Sequence, residues 1–132
     1  MIKTIKKDEL VEKVKKISNH LKKEKLIDVA YKVVEDYGKG RITPHSFHTH
    51  HHFKLETNKF KIELDDKYNQ MGSGDLNIFY ENKLVLELRR SYFEKDSTNS
   101  IVENWEVVKY YKGMWEKEIK NLPKKMEEKN KR

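Results

Sequence analysis

The sequence predicts an α+β protein: two N-terminal helices, an antiparallel sheet of about five strands, and a C-terminal helix. Three observations predict this class. Apolar residues recur at helical spacing before Gly38, alternate with polar residues between 46 and 112, and return to helical spacing after Gly113. Consecutive hairpins flanked by helices favour a meander sheet with helices packed on it in two layers. We therefore expect one domain over residues 1–132.

The helical region spans residues 4–37, which contain neither glycine nor proline. Its first apolar stripe consists of Leu10, Val14, Ile17 and Leu21. A second stripe, between 26 and 37, lies nearly opposite the first at about 100° per residue. Because one straight helix cannot bury both stripes against one core, we expect a break in the polar run Lys22–Lys25. One long helix between the sheet and a partner chain is the alternative, and the opposed stripes leave homodimerisation open.

The strand region spans residues 46–112, and its first part predicts a hairpin over 46–65. A two-residue turn at Asn58-Lys59 sets one register for both faces. It pairs apolar residues on one face: Phe53 with Leu64 and Leu55 with Ile62. It pairs polar residues on the other face: His52 with Asp65, Lys54 with Glu63, and Glu56 with Lys61. Apolar contacts and opposite charges therefore agree on this register.

A second hairpin is predicted over Gly74–Arg90 by strict alternation of apolar and polar residues. The inward face is expected to pair Leu76 with Leu88, Ile78 with Leu86, and Tyr80 with Leu84. The outward face is expected to pair Asp75 with Arg89, Asn77 with Glu87, and Phe79 with Val85. The opposite charges of Asp75 and Arg89 favour the register that the apolar residues choose.

Turn-forming residues predict a linker over 66–74, and a polar composition predicts a loop over 91–100. Residues 101–112 are ambiguous, because their apolar side chains scatter around a helical wheel. We interpret them as a strand, with one face formed by Ile101, Trp105, Val107 and Tyr111.

A C-terminal helix is expected over 114–122, buried through Trp115, Ile119 and Leu122. Pro123 is expected to end or kink this helix, because proline cannot donate the intrahelical hydrogen bond. Residues 123–132 are then predicted to be a polar tail.

Composition excludes several classes of protein. The 132 residues contain no cysteine, so neither disulfides nor a cysteine-based zinc site can form. No apolar run approaches the roughly 20 residues of a membrane span, and the first 14 residues lack the apolar core of a signal peptide. We expect a soluble, cytoplasmic protein without a membrane partner.

The net charge of +7 lies in the two ends of the chain. Residues 1–41 carry +5 and residues 112–132 carry +4, whereas the middle carries −2. Lysine-rich helices attract phosphate groups non-specifically but read bases poorly. The charge therefore predicts either a solvated surface or a binding module for nucleic acid or another protein.

Histidines at alternate positions suggest a metal site. His48, His50 and His52 share the polar face of the first hairpin, with neighbouring imidazoles about 7 Å apart. Asp65 lies opposite His52 and is a fourth candidate ligand. Imidazole and carboxylate groups suit zinc, nickel, copper or iron. The alternative is a polar strand face in contact with water. His20 lies on the first helical stripe and is expected at the edge of the core.

A second constellation consists of Asp75, Glu87 and Arg89 on the central hairpin. The segments Gly74-Asp75-Leu76 and Leu86-Glu87-Leu88-Arg89 resemble the core motif of PD-(D/E)xK nucleases. The resemblance implies that Asp75 and Glu87 bind a divalent cation. Arg89 stands where that family has a lysine that assists the attacking water, and arginine cannot act as a base near neutral pH. The alternative is a cross-strand ion pair between Asp75 and Arg89 on a solvent-exposed face.

Three functions follow as hypotheses. The first is a non-enzymatic binding module for a protein or nucleic acid, suggested by the basic ends of the chain. The second is a divalent-metal-dependent, nuclease-like enzyme, and the third is transition-metal binding by the histidine strand. A divalent metal ion is the one cofactor suggested, and the outward face of the sheet is where we expect any site.

Overall fold

The computed structural model describes residues 7–44, 49–68, 73–90 and 105–130. Three helices pack against a six-stranded antiparallel sheet whose strands follow one another in chain order. The helices are α1 (Lys7–Lys23), α2 (Leu26–Tyr37) and α3 (Trp115–Asn130). The strands are β1 (Lys39–Pro44), β2 (Thr49–Glu56), β3 (Phe60–Tyr68), β4 (Ser73–Tyr80), β5 (Lys83–Arg90) and β6 (Trp105–Tyr110). The predicted α+β class is confirmed.

The predicted break between the two N-terminal helices is confirmed. Lys25 adopts the left-handed conformation, with φ 55° and ψ 30°, immediately before α2. This conformation ends the first helix, because an L-residue in it cannot continue a right-handed helix. The break lets α1 bury Leu21 while α2 buries Ile27 and Val34 in the same core. The single long helix is thereby excluded.

The first hairpin has the predicted register. Phe53 pairs with Leu64 on the inner face and His52 with Asp65 on the outer face. The turn is closed by a backbone hydrogen bond of 2.7 Å from Thr57 N to the carbonyl of Phe60. The strand β3 continues to Tyr68 and β4 begins at Ser73, so much of the predicted 66–74 linker is strand.

The central hairpin has the predicted register except near its turn. Residues 75–78 pair with 86–89 as expected. The turn is formed by Glu81 and Asn82, at φ 50° and 67°, the backbone of a two-residue type I′ hairpin turn. A bulge then pairs Phe79 with Leu84 and leaves Val85 as the extra residue. The prediction that Leu84 faces inward opposite Tyr80 is therefore wrong, and Val85 is buried instead.

The edge strand β1 is absent from the prediction, in which the strand region begins at residue 46. It pairs with β2 from Lys39 to Pro44. The sequence shows no alternation here, and Pro44 is tolerated because it lies on an edge. Gly40 is required by close packing: a Cβ atom there would lie 1.9 Å from the carbonyl oxygen of His52.

The C-terminal elements differ from the prediction in length. The strand β6 ends at Tyr110, before Tyr111, and a bulge leaves Val108 half exposed; Ile101 lies outside the described residues. The helix α3 continues through Pro123 to Asn130, where the sequence predicted a polar tail. Its apolar stripe explains the continuation, because Met126 packs against the core one turn beyond Leu122.

The core lies between the helices and one face of the sheet, and α2 contacts β1, β2, β3 and α3. The largest fully buried side chains include Trp115 on α3, Leu26 on α2 and Ile62 on β3. The helices occupy a single layer, so the other face of the sheet carries the polar residues. Within the described ranges, none of the helices has the length and apolarity needed to cross a membrane.

Candidate metal-binding site

The outer face of the sheet carries a row of ionisable residues, one from each strand. Cross-strand pairing connects them from one edge of the sheet to the other. In strand order they are Arg41, His52, Asp65, Asp75, Arg89 and Glu106. The two constellations expected from the sequence therefore lie on one face and meet where Asp65 pairs with Asp75.

His50, His52 and Asp65 form a group that could hold a metal ion. Their candidate ligand atoms all lie within 4.8 Å of one another. His50 Nε2 lies 2.5 Å from Asp65 Oδ1, and the rings of His50 and His52 are 5.8 Å apart. The remaining predicted ligand, His48, lies outside the described residues.

Local structure explains why these three side chains converge. His50 and His52 are two residues apart on β2 and so point to the same face. Asp65 lies directly opposite His52 on β3. Its side chain is about half exposed, whereas the His50 side chain is only 23% exposed. A shallow groove on the outer face is lined by His52 and Asp65, together with Asp75 and Asn77 of β4.

Asp75, Glu87 and Arg89 lie on the same outer face, and Arg89 contacts the other two. Arg89 Nε is 3.6 Å from Asp75 Oδ1, and Arg89 Nη2 is 3.8 Å from Glu87 Oε2. The guanidinium thus contacts both carboxylates that the nuclease resemblance assigns to a cation. This is the exposed cross-strand ion pair that the sequence offered as the alternative. The same contact offsets the repulsion between Asp75 and the neighbouring Asp65.

A polar cluster on the opposite, inner face was missed by the sequence analysis. We call it the inner polar cluster; it consists of Tyr31, Glu35, His51, Asp66 and Arg90. Asp66 is fully buried and accepts hydrogen bonds from the Tyr31 hydroxyl at 3.0 Å and Arg90 Nη1 at 2.9 Å. His51 Nδ1 contacts a carboxylate oxygen of Glu35 on α2.

A signal for this cluster was present in the sequence. Asp66 continues the inward parity of Ile62 and Leu64, and Arg90 continues that of Leu86 and Leu88. Charged residues at inward positions of two strands indicate a buried ion pair. The intervening strand carries Gly74, where a Cβ atom would lie 2.8 Å from Asp66 Oδ1.

A third group connects α1 to α3 at the edge of the core, where His20 was expected. His20 Nε2 lies 2.6 Å from Glu116 Oε1, and the Tyr110 hydroxyl donates to the same oxygen at 3.1 Å. Burial and the adjacent Glu116 carboxylate raise the pKa of Tyr110 to about 12. The group connects the helices and β6 and has no contact with the metal-binding candidates.

No protein-family model, curated protein or solved structure matches the chain.

Proposed function

We propose that the protein binds one divalent transition-metal ion, such as zinc, through His50, His52 and Asp65. The observation that supports this proposal is the convergence of their three ligand atoms within 4.8 Å. Two imidazoles and one carboxylate are a common set of zinc ligands. Three protein ligands leave a fourth position for water or for a ligand from another molecule.

The paired strands preorganise this ligand set. Eight consecutive residue pairs connect β2 to β3, and His52 and Asp65 form one of them. The relative positions of the three Cβ atoms are therefore fixed before a metal arrives. Preorganisation favours binding, because less conformational entropy is lost when the ion is captured.

The donor atoms predict the selectivity of the site. Two of the three ligands are nitrogen atoms, which zinc, nickel and copper accept readily. Magnesium and calcium prefer sets made of oxygen atoms. We therefore expect zinc to bind and magnesium to compete poorly for the same position.

Calorimetry on the tag-free protein tests the proposal. Wild type is expected to bind one zinc ion per chain, and the variant His50→Ala/His52→Ala is expected to lose this binding. The matched control is His20→Ala. It removes an imidazole that contacts Glu116 on α3, away from the site, and should leave the isotherm unchanged. Identical isotherms for wild type and the double variant would refute the proposal.

A further inference from the structure

We propose that the residues of the inner polar cluster are positioning residues, which hold the metal ligands in place from the opposite face of the sheet. This inference rests on the proposed zinc site and identifies what sets its affinity. The positioning residues need no contact with the ion. They act through the backbone of β2 and β3, which carries the ligands on one face and His51 and Asp66 on the other.

Strand alternation places the two sets back to back. His51 lies between the candidate ligands His50 and His52, and Asp66 follows the candidate ligand Asp65. His51 and Asp66 are themselves a cross-strand pair, adjacent to the pair formed by His52 and Asp65. Successive side chains point to opposite faces of the sheet. Contacts that fix His51 and Asp66 on the inner face therefore also fix the direction of the candidate ligands on the outer face.

Asp66 is fixed from two sides. Its Oδ2 atom accepts from the Tyr31 hydroxyl of α2, and its Oδ1 atom accepts from Arg90 Nη1 of β5. The Asp66 side chain is fully buried and that of Arg90 is 10% exposed. Charge-assisted hydrogen bonds in such an environment are strong and directional. These hydrogen bonds connect β3 to α2 and to β5, which lies two strands away in the sheet.

His51 is fixed from the same helix. Its Nδ1 atom contacts Glu35, one helical turn after Tyr31 on α2, and its ring lies 6.4 Å from the ring of Tyr31. The helix α2 therefore holds both β2 and β3 at the level of the metal ligands.

These contacts matter because the metal ligands lie on two strands, and they can share one ion only while the strands keep their spacing. The pair of His51 with Asp66 lies between the pair that contains His50 and the pair of His52 with Asp65. Without the inner contacts, we expect His50 and Asp65 to sample positions that cannot share one ion.

The test compares two tyrosine-to-phenylalanine variants. Tyr31→Phe removes the hydrogen bond to Asp66, and the control Tyr110→Phe removes a similar bond to Glu116, which lies away from the site. Zinc affinity is measured by competition with a chromophoric chelator, and ligand geometry by the absorption spectrum of the cobalt(II)-loaded protein. Tyr31→Phe is expected to weaken zinc binding by up to about tenfold, the lower end of the loss seen when a group bonded directly to a metal ligand is removed, and to alter the cobalt spectrum. Tyr110→Phe is expected to change neither.

Each outcome decides between the alternatives. Equal zinc affinities in wild type and both variants overturn the inference. It is also overturned if both variants lose zinc affinity in proportion to their loss of thermal stability. Absence of zinc binding by wild type instead overturns the proposed function. Should Tyr31→Phe fail to fold, Glu35→Gln tests the same support from the β2 side, and unchanged affinity and spectrum there overturn the inference.

Discussion

Asp65 and Asp66 are consecutive residues of β3 whose carboxylates lie on opposite faces of the sheet. Asp65 is exposed and contacts His50, whereas Asp66 is fully buried and accepts hydrogen bonds from Tyr31 and Arg90. A single peptide bond thus joins a candidate metal ligand to a residue of the inner polar cluster. The charges on the two faces should contribute very differently to stability.

The buried pair of Asp66 and Arg90 is expected to dominate electrostatic stability. Asp66→Ala removes the carboxylate facing a nearly buried guanidinium and should lower the free energy of unfolding by about 3–5 kcal/mol. The matched control is Asp75→Ala, which removes the carboxylate of the exposed pair with Arg89 and should cost about 0–1 kcal/mol. Urea denaturation measures both, and equal losses would contradict this assignment.

The stability contributed by Tyr110 is expected to disappear at high pH. Burial and Glu116 raise the pKa of Tyr110 from 10.0 to about 12. The folded protein therefore keeps a proton that the unfolded chain releases above pH 10. This contribution is complete below pH 10 and is lost as the pH rises towards 12.

A comparison with Tyr110→Phe isolates this effect from the titration of lysines, which both proteins share. The difference in unfolding free energy between wild type and Tyr110→Phe should change between pH 10 and 12, with wild type losing more. Tyrosinate absorbance provides the second measurement, because the most basic tyrosine should be absent from the variant. A constant stability difference across this pH range would argue against the raised pKa.

A substitution at Asn82 in the central hairpin turn is expected to stabilise the protein. Its φ of 67° lies in the left-handed region, where glycine has no steric penalty. Asn82→Gly is expected to raise the free energy of unfolding by about 0.5–1 kcal/mol. Asn58→Gly, in the other hairpin turn, is the control: Asn58 does not have a positive φ, so glycine there should stabilise nothing. Thermal unfolding that shows equal shifts would disprove the difference between the turns.

The strand registers were predictable because two independent patterns agreed. Apolar residues and opposite charges selected the same pairing for Leu55 with Ile62 and for Asp75 with Arg89. The bulge near Leu84 was not predictable, because the adjacent Val85 is equally apolar and either residue satisfies the inward position. The final turns of α3 were missed for a related reason: the packing of Met126 outweighs the local effect of Pro123.

The candidate site was predictable in part. Strand parity placed His50 and His52 on one face, and the hairpin register placed Asp65 opposite His52. The inner polar cluster depends on where α2 crosses the sheet, and no local pattern specifies that Tyr31 reaches Asp66. Strand parity alone could have shown that Asp66 and Arg90 carry charges on the inner face. Only the tertiary structure shows that Tyr31 contacts Asp66.

Zinc calorimetry on Asp65→Asn is the most direct test of the central claim that folding assembles the metal site. Asp65 lies on a different strand from the histidines, so a zinc affinity due only to the local histidine-rich sequence would not depend on it. We predict at least a tenfold loss of zinc affinity in Asp65→Asn. The control Asp75→Asn removes the same charge from the adjacent strand and should retain one zinc ion per chain with affinity close to that of wild type. Equal affinity in Asp65→Asn and wild type would contradict the account.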